Sequence, residues 1–483
     1  MLKNEIYSYD RKKITAGILH FGVGNFHRAH QAYYTNALLS DADQRDWGIC
    51  GAMILDKDER LFHSLRKQDG RYGLTIYGRN GEDETIWIGS IVELLWGCET
   101  AESIIQKVAD PRIRIITLTI TEGGYNLAKV STSSIREFDF QNEDICYDLD
   151  LPSHPRTVFG YIASGLLERM ESGAGPLSIL SCDNLPHNGD VCKHSFLSFF
   201  ERADARLFEW AKTNISFPNC MVDRITPATL SEDISRLREL RGCDDAAPVY
   251  CEDFIQWVIE DRFLAGRPAW ERVGVEFAED VTKHESIKLA FVNSTHLMLS
   301  FPAFLAGYRK VDEAVGDERI DTYLKQYMAL DVTPHIVPPT NTDLIRYQSI
   351  FMERLRNKAV SDQLARLCFD VANKIPVYCI PVFTAMFRDN ADMKRIAFFV
   401  AAYRAYLRRD ADERGISYTV NDPGLLENDL ALINSDDPFD FLRLSCFAGF
   451  VLDSSKNFVE WYLKHYKSID SGNILSVMGE LLE

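Results

Sequence analysis

Apolar and polar positions alternate in blocks along the first half of the chain. Four apolar runs read as strands, AGILHF (16–21), WGICGAMIL (47–55), IRIITLTI (113–120) and PLSILS (176–181), and RAHQAYYTNALLSD (28–41) between the first two reads as a helix. A strand that is buried on both faces shows an unbroken apolar run. The pattern therefore predicts a parallel sheet with helices on both faces.

After about residue 283 the pattern changes to long helical stretches. The predicted helices cover residues 285–308, 318–330, 342–357, 359–373, 390–409 and 456–466. We therefore predict two domains, an α/β domain with extensions over residues 1–283 and a mostly α-helical domain over 284–483. A chain of 483 residues is long enough for two cores.

Composition excludes several functional classes. The net charge of −18 argues against nucleic-acid binding and against anionic membranes. No apolar run is as long as the roughly 18 residues of a membrane helix, and the start MLKNEIYSYDRKK lacks a signal-peptide core, which favours a cytoplasmic protein. The 11 cysteines include no C-x-x-C pair, so reduced thiols are expected rather than disulfides or zinc ligands.

A glycine turn, GVG (22–24), opens the motif GVGNFHRAH (22–30), which follows the first predicted strand. Gly22 suits the tight turn and Gly24 suits a close approach to phosphate, but His27 stands where a dinucleotide fingerprint has its third glycine. Asp56 and Asp58 follow the second strand, where a carboxylate would accept hydrogen bonds from a ribose and favour NAD over NADP. Alternatives are a solvated turn in DKDER (56–60) and a metal site at the two histidines of FHRAH.

The segment HESIKLAFVNSTHLMLSFPAFLAGY (284–308) predicts a buried helix with four polar side chains, Glu285, Lys288, Asn293 and His296. On a regular helix, these four side chains share one side, with Glu285 at about 60°, His296 at about 80° and Asn293 at about 140° from Lys288. A buried lysine of lowered pKa can act as a general base, an asparagine can donate to a developing oxyanion, and Glu285 can relay a proton. The alternative is a core helix whose lysine reaches the surface.

Taken together, these segments and TLTITEGGYN, SCDNLPHNGD, SFPNCMVDRITP and WVIEDRF…GRPAWERVGV resemble the polyol-specific long-chain dehydrogenases, in order, from about residue 18 to about 420. The resemblance implies a Rossmann-type N-terminal domain. It also implies an NAD-dependent, metal-independent enzyme that oxidises a polyol, D-mannitol, to D-fructose and catalyses the reverse reduction. Phe-His-Arg-Ala-His after the glycine turn is then a mark of the family.

The resemblance also implies roles for individual residues. Lys288 would be the general base, Asn184 and Asn293 would stabilise the alkoxide-like oxygen, His296 would orient the substrate and Glu285 would gate or relay the proton. Asp223, Arg366 and Lys374 would bind the substrate's other hydroxyl groups. The residues expected at the cofactor are Gly22, Gly24, Phe26, Arg28, Asp56, Asp58 and Glu122, with Arg28 at the phosphates and Asp58 as the NAD-selecting acid.

Departures from the family pattern leave the substrate open. DVANKIP (370–376) lacks the glycine of the usual DGSxK, and the helix reads NSTH where relatives often have NGSH. D-Sorbitol, D-arabinitol and a hexuronate (fructuronate or tagaturonate) stay as alternative substrates. A non-catalytic nucleotide-binding protein and a zinc-dependent polyol dehydrogenase are more remote alternatives. The expected state is a monomer or a small homo-oligomer.

Overall fold

The computed structural model describes residues 4, 5, 7–128, 137–241, 244–340, 342–360, 362–448, 450 and 452–482. The chain divides into two compact units, unit 1 (Met1–Thr282) and unit 2 (Lys283–Glu483). Unit 1 combines strands and helices, whereas the named elements in the described part of unit 2 are all helices. None of the described helices is both long enough and apolar enough to cross a membrane.

In the described part of unit 1, thirteen strands form three sheets. They are β1 (Asn4–Glu5), β2 (Ala16–Phe21), β3 (Gly48–Met53), β4 (Tyr72–Tyr77), β5 (Glu84–Ile88), β6 (Ile91–Trp96), β7 (Ile115–Leu118), β8 (Leu177–Ser181), β9 (Ile215–Ser216), β10 (Cys220–Asp223), β11 (Val249–Glu252), β12 (Gln256–Glu260) and β13 (Glu276–Ala278). The largest sheet has the order β6-β3-β2-β7-β8-β9, and all of its pairings are parallel. This is the strand order of a dinucleotide-binding α/β fold.

Helices cover both faces of this sheet. Those of unit 1 are α1 (Asn25–Ala29), α2 (Gln31–Leu38), α3 (Glu59–Lys67), α4 (Ala101–Ala109), α5 (Glu143–Asp150), α6 (Val158–Ser172), α7 (Asn188–Ala203), α8 (Ala205–Asn214) and α9 (Ser231–Arg241). Successive side chains of β2 enter separate cores, because Ile18 belongs to one hydrophobic cluster and Leu19 and Phe21 belong to another. Burial on both sides explains the unbroken apolar runs in the sequence.

Two smaller sheets were not predicted. One has the order β1-β5-β4-β11 and contains an antiparallel β4–β5 pair, and the other has the order β10-β12-β13 with β10 and β12 antiparallel. The predicted helix over 28–41 is also divided. It separates into α1 and α2 at His30, whose φ of −118° and ψ of −87° are not helical.

Unit 2 is built from helices around one large hydrophobic core. They are α10 (which begins at Thr282 and ends at Ile287), α11 (Ser294–Leu305), α12 (Val311–Ala314), α13 (Glu318–Gln326), α14 (Leu344–Leu355), α15 (Leu364–Cys368), α16 (Val371–Tyr378), α17 (Ile380–Arg388), α18 (Lys394–Arg408), α19 (Glu427–Asn434), α20 (Lys456–Ser471) and α21 (Ile474–Leu482), with π-helical segments at Lys288–Asn293 and Tyr327–Val332. The single helix predicted over 359–373 is two helices, α15 and α16, because Asp370 between them has a φ of +56°.

Candidate active site

The glycine turn follows β2, an interior strand of the parallel sheet. Gly22 has a φ of +93°, and a Cβ there would lie 2.1 Å from the carbonyl oxygen of Thr119. Gly24 is exposed, and the nearest atom to a Cβ there would be 3.8 Å away. The turn thus requires glycine at the first position for folding, whereas the second presents an open backbone surface just before α1. This arrangement fits a bound pyrophosphate.

His27, in place of a third glycine, packs under this turn. Its ring stacks on that of His20, with 3.4 Å between centroids and 9° between planes. Burial lowers the pKa of His20 to about 3 and that of His27 well below its ordinary value, so both rings are neutral at neutral pH. Nε2 of His20 lies 3.0 Å from the carbonyl oxygen of Gly22 and must donate to it, since a carbonyl only accepts.

Both terminal nitrogens of Arg28 donate to groups within unit 1, which corrects the expectation that Arg28 holds phosphates. Its Nη1 donates to the carbonyl oxygen of Ala247 at 2.6 Å, and its Nη2 donates to Oδ1 of Asn25 at 2.6 Å. The side chain is buried, and the guanidinium also lies 5.2 Å from the ring centre of Tyr72. Arg28 therefore anchors α1 to the segment before β11. Phe26 is half-buried, and its ring stacks on the ring of His30.

Two acidic side chains follow β3, at the carboxyl end next to the glycine turn. Asp56 is exposed, and its Oδ1 accepts a hydrogen bond from the thiol of Cys98 at 3.2 Å. Asp58 is half-buried, and this burial raises the pKa of its carboxyl group. β3 pairs directly with β2, so Asp56 and Asp58 follow the same edge of the sheet as the glycine turn.

Glu122 and Asn184 follow the next two strands of the sheet. Glu122 is exposed and opens the 3₁₀ turn Glu122–Tyr125 after β7, and Asn184 is half-buried and lies just past the end of β8. β7 and β8 are parallel neighbours, so these two side chains share one edge of the sheet. Asp223, at the end of β10 in a different sheet, is buried.

In unit 2, Lys288 begins a π-helical turn that ends at Asn293. The amide of Ser294 donates to the carbonyl oxygen of Leu289, five residues earlier, instead of four. This spacing brings Lys288 and Asn293 closer together around the helix axis than the angle of about 140° on a regular helix. π-Helical turns inside α-helices occur frequently at functional sites.

The polar side chains of this helix are largely withdrawn from solvent. Glu285, Lys288 and His296 are 6%, 7% and 8% exposed, and Asn293 is half-buried. The ring of His296 meets that of Phe351 edge-on, with 5.2 Å between centroids. Such burial is costly for ionisable groups, which is the reason to expect a chemical role for them.

A carboxylate that sequence analysis missed holds Arg366. Both oxygens of the buried Asp362 accept from the guanidinium, at 2.8 Å from Nε and 2.5 Å from Nη2. Burial by itself would raise the pKa of Asp362, but Arg366, and to a lesser extent His296, holds it below the ordinary value. Asp362 and Arg366 are four residues apart on a predicted helix, and this spacing was the sequence signal for their ion pair.

Lys374 lies on α16, and its Nζ donates to the carbonyl oxygen of Phe369. The family's missing glycine corresponds to Val371, which is the first residue of that helix. The left-handed conformation belongs to Asp370, one residue earlier, so valine is accommodated without strain. Among the described residues, no group of three or more His, Cys, Asp or Glu side chains could hold a metal ion.

Comparison with known proteins assigns the fold to a family. The model of the mannitol dehydrogenase Rossmann domain matches residues 16–272, and that of the mannitol dehydrogenase C-terminal domain matches residues 280–470. The chain belongs to the mannitol dehydrogenase family. Membership confirms the predicted class of an N-terminal Rossmann-type domain followed by a helix-rich C-terminal part.

Relatives extend along nearly the whole chain. Mannitol 2-dehydrogenase of Pseudomonas fluorescens, solved as a ternary complex with NAD and D-mannitol, is 40% identical, has a TM-score of 0.90 and matches over 99% of this chain and 96% of its own. A D-sorbitol dehydrogenase structure is 36% identical with a TM-score of 0.89, over 98% and 97%. A polyol:NADP oxidoreductase of Gluconobacter oxydans is 38% identical over 93% of this chain and 92% of its own.

Proposed function

We propose that this member of the mannitol dehydrogenase family is an NAD-dependent, metal-independent enzyme that oxidises D-mannitol to D-fructose and catalyses the reverse reduction. The observation that carries the proposal is the buried Lys288 at the start of a π-helical turn that ends at Asn293. The P. fluorescens relative, described with NAD and D-mannitol, supports both the cofactor and the substrate.

The glycine turn supports the cofactor. Gly22 would shape the tight turn, and the open backbone at Gly24 would let the pyrophosphate approach the first amides of α1, because the amides of Gly22 and Gly24 themselves donate to the carbonyl oxygens of Ala52 and Gly22. Asp56 and Asp58 would accept hydrogen bonds from the adenosine ribose. A carboxylate there also repels a 2′-phosphate, which favours NAD, although one relative is described as using NADP. When bound, NAD supplies the carbon that accepts the hydride.

Lys288 would accept the proton of the reacting hydroxyl group on its neutral amine. As this proton leaves, negative charge develops on the oxygen, and the side-chain amides of Asn184 and Asn293 would each donate a hydrogen bond to it. Departure of the hydride from the attached carbon of the substrate then turns the alkoxide into the carbonyl group of the ketose. Glu285, one turn before Lys288, would carry the proton away to water. A group accelerates this step only if it binds the transition state more tightly than it binds the alcohol.

Polar residues elsewhere would select the polyol. The substrate is uncharged, so selectivity rests on hydrogen bonds to several hydroxyl groups, and an analogue that leaves a buried group unpaired is rejected. His296 would orient the reacting end, whereas Asp223, Arg366 and Lys374 would bind the remaining hydroxyl groups.

The test compares two lysines of the same helical segment. Lys288→Met keeps the side-chain length but removes the base, so oxidation should fall by at least about a thousandfold while the NADH dissociation constant changes little. Lys283→Met, at an exposed position of α10, is the control and should keep full activity. Joint loss of turnover and NADH binding in Lys288→Met would make Lys288 structural.

D-Sorbitol is the second candidate substrate, because the sorbitol dehydrogenase is nearly as similar to this chain as the mannitol enzyme. Mannitol and sorbitol differ in the configuration of a single hydroxyl group, which a few side chains can discriminate. A higher kcat/KM for D-sorbitol than for D-mannitol would establish that alternative and leave the lysine mechanism unchanged.

A further inference from the structure

A buried carboxylate joins the two loops that carry Glu122 and Asn184. Asp183 follows β8, and its two oxygens accept hydrogen bonds from the amide of Ile120 at 3.0 Å and from the amide of Thr121 at 2.9 Å. The hydroxyl group of Tyr125 donates to the same carboxylate at 2.8 Å. We call Asp183, Ile120, Thr121 and Tyr125 the Asp183 clamp.

The clamp holds a backbone conformation that Thr121 would otherwise avoid. Thr121 has a φ of 64° and a ψ of 169°, a region that is essentially restricted to glycine. A β-branched side chain makes this conformation still less favourable. Such a conformation persists only when surrounding groups enforce it, and strained residues of this kind cluster at functional sites. Here the enforcing group is the carboxylate on the amide of Thr121.

The residues next to the clamp are the ones with proposed chemistry. Asn184 follows Asp183 directly, and Glu122 follows Thr121 directly. Tyr125 ends the 3₁₀ turn that contains Glu122, and its hydroxyl oxygen also lies 2.5 Å from Oγ of Ser181, the last residue of β8. The clamp therefore fixes both loops to each other and to the sheet.

We propose that Asp183 is a positioning residue that holds Asn184 and the Thr121–Tyr125 segment in the arrangement that hydride transfer requires. This inference rests on the proposed function, since Asn184 is taken as a donor to the reacting oxygen. Asp183 itself acts through the backbone of its neighbours and not on the substrate. Positional errors of about 1 Å in such a donor are enough to slow a reaction by about a hundredfold.

The first variant is Asp183→Asn, which keeps the size of the side chain. An amide has a single acceptor oxygen, so its NH₂ group faces one of the two backbone donors and breaks that hydrogen bond. We expect kcat to fall at least tenfold, with the NADH dissociation constant within about threefold of the wild-type value. Unchanged kcat would overturn the proposal.

Asp148→Asn is the matched control for stability. Asp148 is also buried in unit 1 and accepts from the amides of Arg156 and Thr157, at 2.7 and 2.9 Å, and from the hydroxyl group of Thr157 at 2.6 Å. This variant should lower the melting temperature to a similar extent but leave kcat intact. An equal loss of kcat in both variants would reduce Asp183 to a general structural role.

The double variant Asp183→Asn/Thr121→Gly tests the route of the effect. Glycine adopts the backbone conformation of Thr121 without strain, so it should restore kcat at least fivefold relative to Asp183→Asn. Absence of rescue would mean that Asp183 does not act through Thr121, which overturns the proposal.

Amide hydrogen exchange in a peptide covering residues 118–126 separates this proposal from the proposed function. Faster exchange in Asp183→Asn, reversed in part by Thr121→Gly, is expected whether or not the wild-type protein turns over a polyol. Unchanged exchange would refute the clamp, whereas a wild-type protein without polyol turnover would refute the proposed function.

Discussion

Glycine is needed for different structural reasons at the two positions of the turn after β2, and alanine substitutions should show the two effects separately. At Gly22, an added Cβ would lie 2.1 Å from the carbonyl oxygen of Thr119, and the φ of +93° is unfavourable for any L-residue. At Gly24, the nearest atom would be 3.8 Å away, so the protein itself has room for the methyl group. Gly22→Ala should damage folding, and Gly24→Ala should damage cofactor binding alone.

The magnitudes follow from these contacts. A residue forced into a left-handed conformation costs about 1–2 kcal/mol, and relief of the overlap with Thr119 adds a strain cost of about 1–3 kcal/mol. Gly22→Ala should therefore lose about 2–5 kcal/mol of stability. For Gly24→Ala, loss of one hydrogen bond to a charged phosphate costs about 1.5–3 kcal/mol, which corresponds to an NADH dissociation constant about ten- to a hundredfold higher.

The assays are denaturant unfolding and fluorescence titration with NADH, applied to both variants and to the wild-type protein. We expect a lower unfolding midpoint only in Gly22→Ala, and an unchanged midpoint with weak NADH binding in Gly24→Ala. Gly24→Ala with wild-type affinity for NADH would refute the inference that this backbone approaches the pyrophosphate.

Three further predictions concern carboxylates. Asp362→Asn should raise the KM for the polyol about fivefold, ~1 kcal/mol, with kcat nearly unchanged, because Arg366 is half exposed and keeps part of its orientation; a kinetic titration checks this. Asp58→Asn should narrow the preference for NAD over NADP in a comparison of kcat/KM, and no change there would direct attention to Asp56. Burial raises the pKa of Asp183 from 3.8 to about 6, with the charge of nearby Glu122 adding to the rise. Between pH 3.8 and about 6, the Asp183 carboxyl group is therefore protonated in the folded state and ionised in the unfolded state. The free energy of unfolding should fall by about 3 kcal/mol as pH rises through this range, and in Asp183→Asn the denaturant midpoint should no longer show this dependence on pH.

The parts of the fold with regular periodicity could be predicted from the sequence. The runs that contain β2, β3, β7 and β8 are apolar on both faces, and the helices of unit 2 follow long amphipathic or apolar stretches. The small sheets were missed because most of their strands pair across long separations in sequence, as between β4 and β11, although β4 and β5 are close in sequence.

Irregular backbone limited the prediction of the site. The break at His30 and the π-helical turn after Lys288 depend on packing and hydrogen-bond register, which residue periodicity does not encode. The role of Arg28 depends on a carbonyl group 219 residues away along the chain, which no local motif reveals. Asp183, by contrast, stands beside Asn184 in the sequence, but only the fold shows that its carboxylate reaches Thr121.

The central claim is tested most directly by a substrate panel that follows NADH absorbance with and without a chelator. The panel covers oxidation of D-mannitol, D-sorbitol, D-arabinitol and D-xylitol, and reduction of D-fructose, D-fructuronate and D-tagaturonate. The account predicts highest turnover for D-mannitol and D-fructose with NAD, unaffected by the chelator. Turnover of the uronates alone, or activity that is lost with the chelator and restored by zinc, would contradict it.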